Sequence, residues 1–398
     1  MGADAAWPAF CRQATSSRRC ITTHCQWHKA LAHRAGRGAF ASGLSFRHQA
    51  FLLRGPPVAF GPSLASALVV GLRMTLFGPM AAYGKPLTRI PYSVRHKHSP
   101  EGHAVPSFLH PDSIVETDWL QEHLEDPSLR ILDCTVHLLY DNTPPGVPYR
   151  VKSGREDFDR GHIPGADFVD LQGELSLPNS PFSFTLPPAE YVAAAMEKHG
   201  VGDSTRVVLY STTHPMWATR VWWMLRAVGF DRAAVLNGGF AKWQAEQRAV
   251  SKATPTPPQG VRFTPRARSG LFTDKEEVLK SIGASSVCTM NALSSESYRG
   301  INARYGRPGR IPGSVSLPAG NLLNAESGTF RSAEELADIF SSASPRQKNK
   351  RVIIHCGGGI AATLNAFLMH QLGYENLAVY DNSMSEWAMD PSLPMEAD

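Results

Sequence analysis

Cys356 stands in the run His355-Cys356-Gly357-Gly358-Gly359-Ile360, directly after the β-type segment Arg351–His355. A cysteine at a strand-to-helix turn, followed by three glycines, has a definite chemical use. Glycine has no Cβ, so its amide is free to turn toward a neighbouring sulfur. Several N–H donors at a helix N-terminus hold an anion without any cationic side chain. The thiolate is the nucleophilic form of cysteine, so this turn predicts a sulfur nucleophile. A lone cysteine after a strand is ordinarily a small buried hydrophobe. That role gains nothing from a glycine-rich turn, whose ordering costs backbone entropy. Cys134 and Cys288 lie in β-type runs without such a turn and are read as buried hydrophobes. With Cys11, Cys20 and Cys25 they show no Cys-x-x-Cys spacing, so neither a zinc site nor a dithiol centre is expected. No metal or organic cofactor is implied, and a reducing compartment fits this cysteine usage.

The elements that must position Cys356 alternate along the chain. Thr117–Leu124 reads as a capped amphipathic helix and Leu129–Cys134 as a strand. Helical patterns at Ala189–His199, Met216–Val228 and Phe240–Glu246 alternate with strands at Arg206–Tyr210 and Ala233–Leu236. Ser251–Pro265 carries four prolines and reads as a linker. The order then repeats. Helices are expected at Thr273–Ile282, Ala333–Phe340 and Ala361–Leu372, and strands at Ser286–Asn291, Arg351–His355 and Leu377–Tyr380. Such alternation predicts mostly parallel sheets covered on both faces, with ligands bound beyond the carboxyl ends of the strands.

The repeat is also visible residue by residue. Gly161-His162-Ile163-Pro164-Gly165-Ala166 answers Gly309-Arg310-Ile311-Pro312-Gly313-Ser314, and Asn237–Trp243 answers Asp381–Trp387. The turn Tyr210–Met216 matches the Cys356 turn in position but has no cysteine. One half is therefore expected to be catalytic and the other not.

The chain has 398 residues, 42% of them hydrophobic and 19% charged, which suits two globular domains and a tail. Its formal charge of +5 comes from the N-terminal segment: from Met1 to Lys97 the only acid is Asp4, against about a dozen Lys and Arg. The remainder is net acidic, so nucleic-acid binding gains no support. The leader is read either as an organelle transit peptide, implying a mitochondrial matrix, or as a low-order extension of a cytoplasmic protein. Its longest apolar stretch, Pro56–Leu72, holds Pro57, Gly61 and Pro62 and is shorter than a bilayer span, so stable membrane insertion is not expected.

On Gly161–Ala166, Trp217–Trp223, Val379–Trp387 and the Cys356 loop, the sequence from about Ser113 to Glu396 resembles the tandem-domain rhodanese family, the thiosulfate and 3-mercaptopyruvate sulfurtransferases. The resemblance implies an α/β fold of two tandem rhodanese-like domains, each a mostly parallel sheet with helices on both faces. The expected order is a basic leader over 1–110, a non-catalytic domain over 111–250, a Pro-rich linker over 251–270 and a catalytic domain over 271–398. It implies that Cys356 forms a persulfide and that Gly357, Gly358, Gly359, Ile360 and Ala361 form the loop around the substrate anion.

Within that family the thiosulfate enzymes place Arg and Lys after the cysteine, whereas the mercaptopyruvate enzymes have a neutral loop. The neutral glycines are nearer the second type. Gly358 replaces the serine assigned there to a proton relay, and Ala361 replaces a threonine. Of the family's substrate-carboxylate arginines only Arg299 has a match, because Asn291-Ala292-Leu293 stands in place of Asp-Ala-Arg. Arg304, Arg307 and Arg310 lie nearby in sequence and are read as replacements for the lost charge, Arg310 orienting the substrate beside Arg299, with a solvated loop position the alternative for Arg304 and Arg307. His162 matches the family's domain-interface histidine, acting as a relay or acceptor-orienting group, or else it fixes the turn before Pro164.

The implied partners are a small-molecule sulfur donor and a thiol, cyanide or thioredoxin-like acceptor. A cysteine phosphatase of similar fold needs a longer loop ending in arginine, but the sixth residue after Cys356 is Ala362 and no Lys or Arg occurs beyond Arg351. A non-catalytic binding or redox-sensing module stays open as the alternative.

Overall fold

The computed structural model describes residues 107–398 apart from Pro145 and Arg346. Most of the expected leader, including Pro56–Leu72 and three of the cysteines, lies outside the described residues. The last four residues assigned to the leader, 107–110, are described and packed: Leu109 N–H donates to Gln371 O (2.8 Å), and His110 stacks on His370.

In the first half, strands β1 (Ile114–Val115), β2 (Leu129–Asp133), β3 (Val136–Leu139), β4 (Arg150–Ser153), β5 (Ala166–Phe168), β6 (Arg206–Tyr210) and β7 (Ala233–Leu236) are interleaved with helices. The helices are α1 (Thr117–Glu122), α2 (Arg155–Arg160), α3 (Leu171–Glu174), α4 (Ala189–Lys198), α5 (Met216–Ala227) and α6 (Gly239–Ala245). The second half carries α7 (Lys275–Ser281), α8 (Ser295–Arg299), α9 (Ala333–Ala343), α10 (Ala361–Gln371) and α11 (Ser383–Trp387). Its strands are β8 (Phe272–Thr273), β9 (Val287–Asn291), β10 (Val315–Ser316), β11 (Arg351–His355) and β12 (Leu377–Tyr380).

Each half holds a five-stranded, wholly parallel sheet. The orders are β1-β7-β6-β2-β5 and β8-β12-β11-β9-β10. Matching strands one to one in chain order, these are the same topology, which is the duplication expressed as hydrogen bonding. The first half adds an antiparallel hairpin, β3–β4. Thr273, expected to open a helix, is instead the second residue of β8, paired with Tyr380. The helix begins after Asp274, whose carboxylate caps the Glu277 amide.

Alternating strand residues serve opposite faces. Val207 and Leu209 join the large core that runs across both halves, while Val208 and Tyr210 face a core closed by α1, α2 and α6. In β11, Val352 and Ile354 enter the shared core and Ile353 enters one closed by α7 and α11. Helices α5 and α10 meet at the centre of the shared core, with Trp222 edge-on to Phe367 at 4.8 Å. Both are apolar nearly all round, as a helix wedged between a sheet and another helix must be.

Candidate active site

Strand β11 is central in its sheet, and its carboxyl end delivers Cys356 into the turn that opens α10. The turn is fastened to the start of α11. Cys356 N–H donates to Ser383 Oγ (3.1 Å), and that hydroxyl donates to Tyr380 O (2.6 Å). The carbonyls of Cys356 and Gly357 accept from Met384 N (3.1 Å) and Ser385 N (2.8 Å). Among the described residues, the amides of Gly357, Gly358, Gly359 and Ile360 find no acceptor. They are donors left without an acceptor in the cysteine turn.

The glycines are required by close approach from three directions. Gly359 has φ +70°, and a Cβ there would strike the Asp381 carbonyl. A Cβ on Gly357 would collide with the Tyr305 hydroxyl, and one on Gly358 would lie 2.5 Å from the Tyr149 hydroxyl. Tyr149 comes from the other half, at the foot of β4, with Phe184 stacked against it and Tyr140 edge-on. These rings leave Cys356 only 2% exposed. Burial pushes the Tyr149 and Tyr305 phenols up, so both stay protonated. Ser385 Oγ, buried and without a hydrogen bond, lies near enough to Tyr149 to oppose that shift slightly, but the two are not aligned as a bonded pair. His355 is fully buried, neither ring nitrogen has a partner, and burial pushes its pKa down to about 3. It is a neutral ring, not a proton donor.

The first half also grips the loop from behind. Arg220 of α5, wholly buried, donates to Gly359 O (3.1 Å) and Phe184 O (2.5 Å) and pairs with Asp381 Oδ1 (2.7 Å). Leu186 N–H donates to the other Asp381 oxygen (2.7 Å), and Thr219 bonds Thr363 (3.0 Å).

The arginines that follow Asn291-Ala292-Leu293 in sequence separate in space. Arg310 is taken by the C-terminal carboxylates Glu396 and Asp398 and lies over the Tyr298 ring, so it is not turned to the loop as a free cation. Arg307 donates to the carbonyls of Trp387, Ala388, Asp390 and Leu393. Arg299 is exposed on α8, with a long contact to its own helix at Ser295 O (3.4 Å). Arg304 stacks on Tyr140 (4.1 Å) and its charge is felt at Tyr305, at the rim of the tyrosine wall.

His162 is fully buried in its own half, stacked on Phe158, with contacts to Phe158 O (2.8 Å) and Ala253 O (3.3 Å). None of its hydrogen bonds reaches the Cys356 loop. The contacts fit the turn-fixing reading and leave the relay reading without a partner. Cys134 is buried and Cys288 half-buried, and burial pushes both thiols up.

The positional counterpart of Cys356 in the first half is Ser211. Its carbonyl accepts from Phe240 N (3.1 Å) as that of Cys356 accepts from Met384 N. Tyr149, Tyr305, Arg220 and Ser385 were not read from sequence as parts of the site. Arg220 and Ser385 fall inside the stretches Trp217–Trp223 and Val379–Trp387, and Tyr149 and Tyr305 in neither, but nothing local shows that any of them meets the loop, which each does through tertiary contact.

This arrangement of duplicated parallel sheets and a glycine-lined cysteine turn is that of the rhodanese family, to which the chain belongs. The Rhodanese-like domain matches residues 116–246 and 296–390. The chain is 31% identical over 289 residues to the 3-mercaptopyruvate sulfurtransferase of Escherichia coli, covering 71% of this chain and 97% of that protein. It is 30% identical over 282 residues to the thiosulfate sulfurtransferase of Gallus gallus, covering 69% and 93%. The crystal structure of the Escherichia coli 3-mercaptopyruvate enzyme superposes with a TM-score of 0.59 at 27% identity, over 68% of this chain and 98% of that one. The chain is a sulfurtransferase. No helix among the described residues is long and apolar enough to cross a membrane.

Proposed function

We propose that the Cys356 thiolate takes a sulfane sulfur from a small anionic donor, 3-mercaptopyruvate in preference to thiosulfate, and passes it on as a persulfide. With thiosulfate the attack forms a Cys356 S–S bond while the outer sulfur of the donor leaves its sulfite. With 3-mercaptopyruvate a C–S bond breaks and pyruvate departs. A thiol, cyanide or a thioredoxin-like protein thiol then removes the outer sulfur and returns the thiolate.

The observation that carries this reading is the set of partnerless amides at Gly357–Ile360 next to Cys356. Preorganised donors of this kind stabilise charge developing on sulfur without reorganising. The preference for mercaptopyruvate rests on the loop's own neutrality, with Arg304 at the rim to meet a carboxylate or sulfonate. Arg299 is exposed and would act only if a bound donor reached it. Free thiols at Cys134, Cys288 and Cys356 suit a reducing compartment, cytoplasm or mitochondrial matrix.

Intact-mass spectrometry of the protein and of Cys356→Ser, after each donor, tests the reading. A one-sulfur adduct on the parent alone, formed faster with mercaptopyruvate, is the expected result. No adduct with either donor, on protein whose Cys356 still alkylates, overturns it in favour of a redox-sensing or binding module.

A further inference from the structure

Transfer from 3-mercaptopyruvate and from thiosulfate differ by one proton. When Cys356–S⁻ attacks the thiol sulfur of mercaptopyruvate, the S–S bond forms and the C–S electron pair leaves on carbon, giving the enolate of pyruvate and a persulfide that still carries the thiol hydrogen. The enolate carbon must gain a proton, and the persulfide must lose one. Sulfite leaves thiosulfate with no such demand.

Few groups at the loop are able to mediate that transfer. His355 is neutral, fully buried and without a partner at either nitrogen. Gly358 has no side chain, and position 361 is alanine. Over Gly358 instead lies the hydroxyl of Tyr149, 2.5 Å from where a Cβ would stand, so a side chain at position 358 and this hydroxyl compete for one place. The Tyr149 hydroxyl has Ser385 Oγ as its hydroxyl neighbour, short of an aligned hydrogen bond, and its ring is fixed by Phe184 and Tyr140.

Resting on the sulfurtransferase reading above, we propose that Tyr149, supplied by the half whose matching turn has no cysteine, is the proton donor for the mercaptopyruvate half-reaction, standing in for a hydroxyl at position 358. Its O–H protonates the enolate carbon as the C–S bond breaks. The tyrosinate then takes the proton of the nascent Cys356–S–SH, leaving Cys356–S–S⁻, pyruvate and a neutral tyrosine. Atoms and charge balance, and no further reactant enters. Burial, which favours the neutral phenol, keeps Tyr149 in the donor form before the reaction.

The test is the ratio of the two donor activities. In Tyr149→Phe, kcat with 3-mercaptopyruvate is expected to fall by about a hundredfold, the lower range for loss of a general acid, while thiosulfate turnover stays within about twofold. A rescue variant separates chemistry from packing. Tyr149→Phe with Gly358→Ser removes the hydroxyl that bars a Cβ, leaving the next ring atom, Cζ, at 3.8 Å. The double variant is expected to recover mercaptopyruvate activity at least tenfold over the single one. Equal loss with both donors, unchanged mercaptopyruvate turnover, or no recovery in a folded double variant overturns the assignment. Absence of either activity in the unmodified enzyme would instead reject the sulfurtransferase reading on which it rests.

Discussion

Arg220 of the first half donates through Nη1 to the carbonyl oxygen of Gly359, 3.1 Å away in the cysteine turn of the second half. The same guanidinium is paired with Asp381, in the segment that fastens that turn. Removing one partner of a buried ion pair strands the other, at about 3–5 kcal/mol. Arg220→Met is therefore expected to lower unfolding free energy by about that amount in urea titrations, with loss of turnover before the global transition because the loop loses its rear anchor.

Gly359→Ala tests the loop geometry directly. A non-glycine residue at φ +70° is strained by about 1–3 kcal/mol, and its Cβ would press on Asp381 O. The variant is expected to unfold at lower urea and to transfer sulfur from both donors at less than a tenth of the parental rate.

The arginines give opposite outcomes. Arg304→Gln is expected to raise KM for either donor by about tenfold, the loss of one charge-assisted hydrogen bond of about 1.5 kcal/mol, while kcat holds. Arg310→Gln loses its contacts to Glu396 and Asp398 and is expected to lower the thermal midpoint while leaving KM unchanged. Paired steady-state kinetics and melting curves check both.

Stability is expected to peak near pH 6.5. Burial alone would lower the pKa of His199, but the Asp167 (2.7 Å) and Glu174 (3.4 Å) carboxylates hold it at about 9. A raised histidine pKa stabilises fully below the unfolded value near 6.5, and that contribution is lost as pH rises through about 9. His355 and His370 act oppositely. Both are pushed down to about 3 by burial, so the unfolded chain takes up protons they refuse, and stability falls as pH drops below 6.5. Urea titrations across pH should show both slopes, with the alkaline one flattened in His199→Gln.

The sheet and helix order was legible because strands such as Val207–Tyr210 and Val352–Ile354 are uninterrupted apolar runs separated by helical periods. The hairpin β3–β4 was not, because half-exposed strands flank a connection holding Pro144, Pro145 and Pro148, which masks any strand period. Cys356 could be singled out because three glycines beside one cysteine form a local signal. Arg310 and His162 were singled out by motif position, yet carboxylates at the chain's end and the carbonyls of Phe158 and Ala253 claim them. Tyr149 carries no signal of its own, since its relation to Gly358 exists only once the two halves have packed.

That packing breaks the equivalence of the two copies. Among the described residues, only the first half has a hairpin, and it overhangs the turn of the other half. In the second half, three residues separate β9 from α8, so no hairpin matches β3–β4, and a different segment, Gly320–Gly328, lines the Ser211 turn. Installing a cysteine at 211 would restore a thiol but not a phenol above it, since the lining segment Gly320–Gly328 has no tyrosine. Once one copy had become the canopy, reversing the roles would require moving an arm as well as an atom.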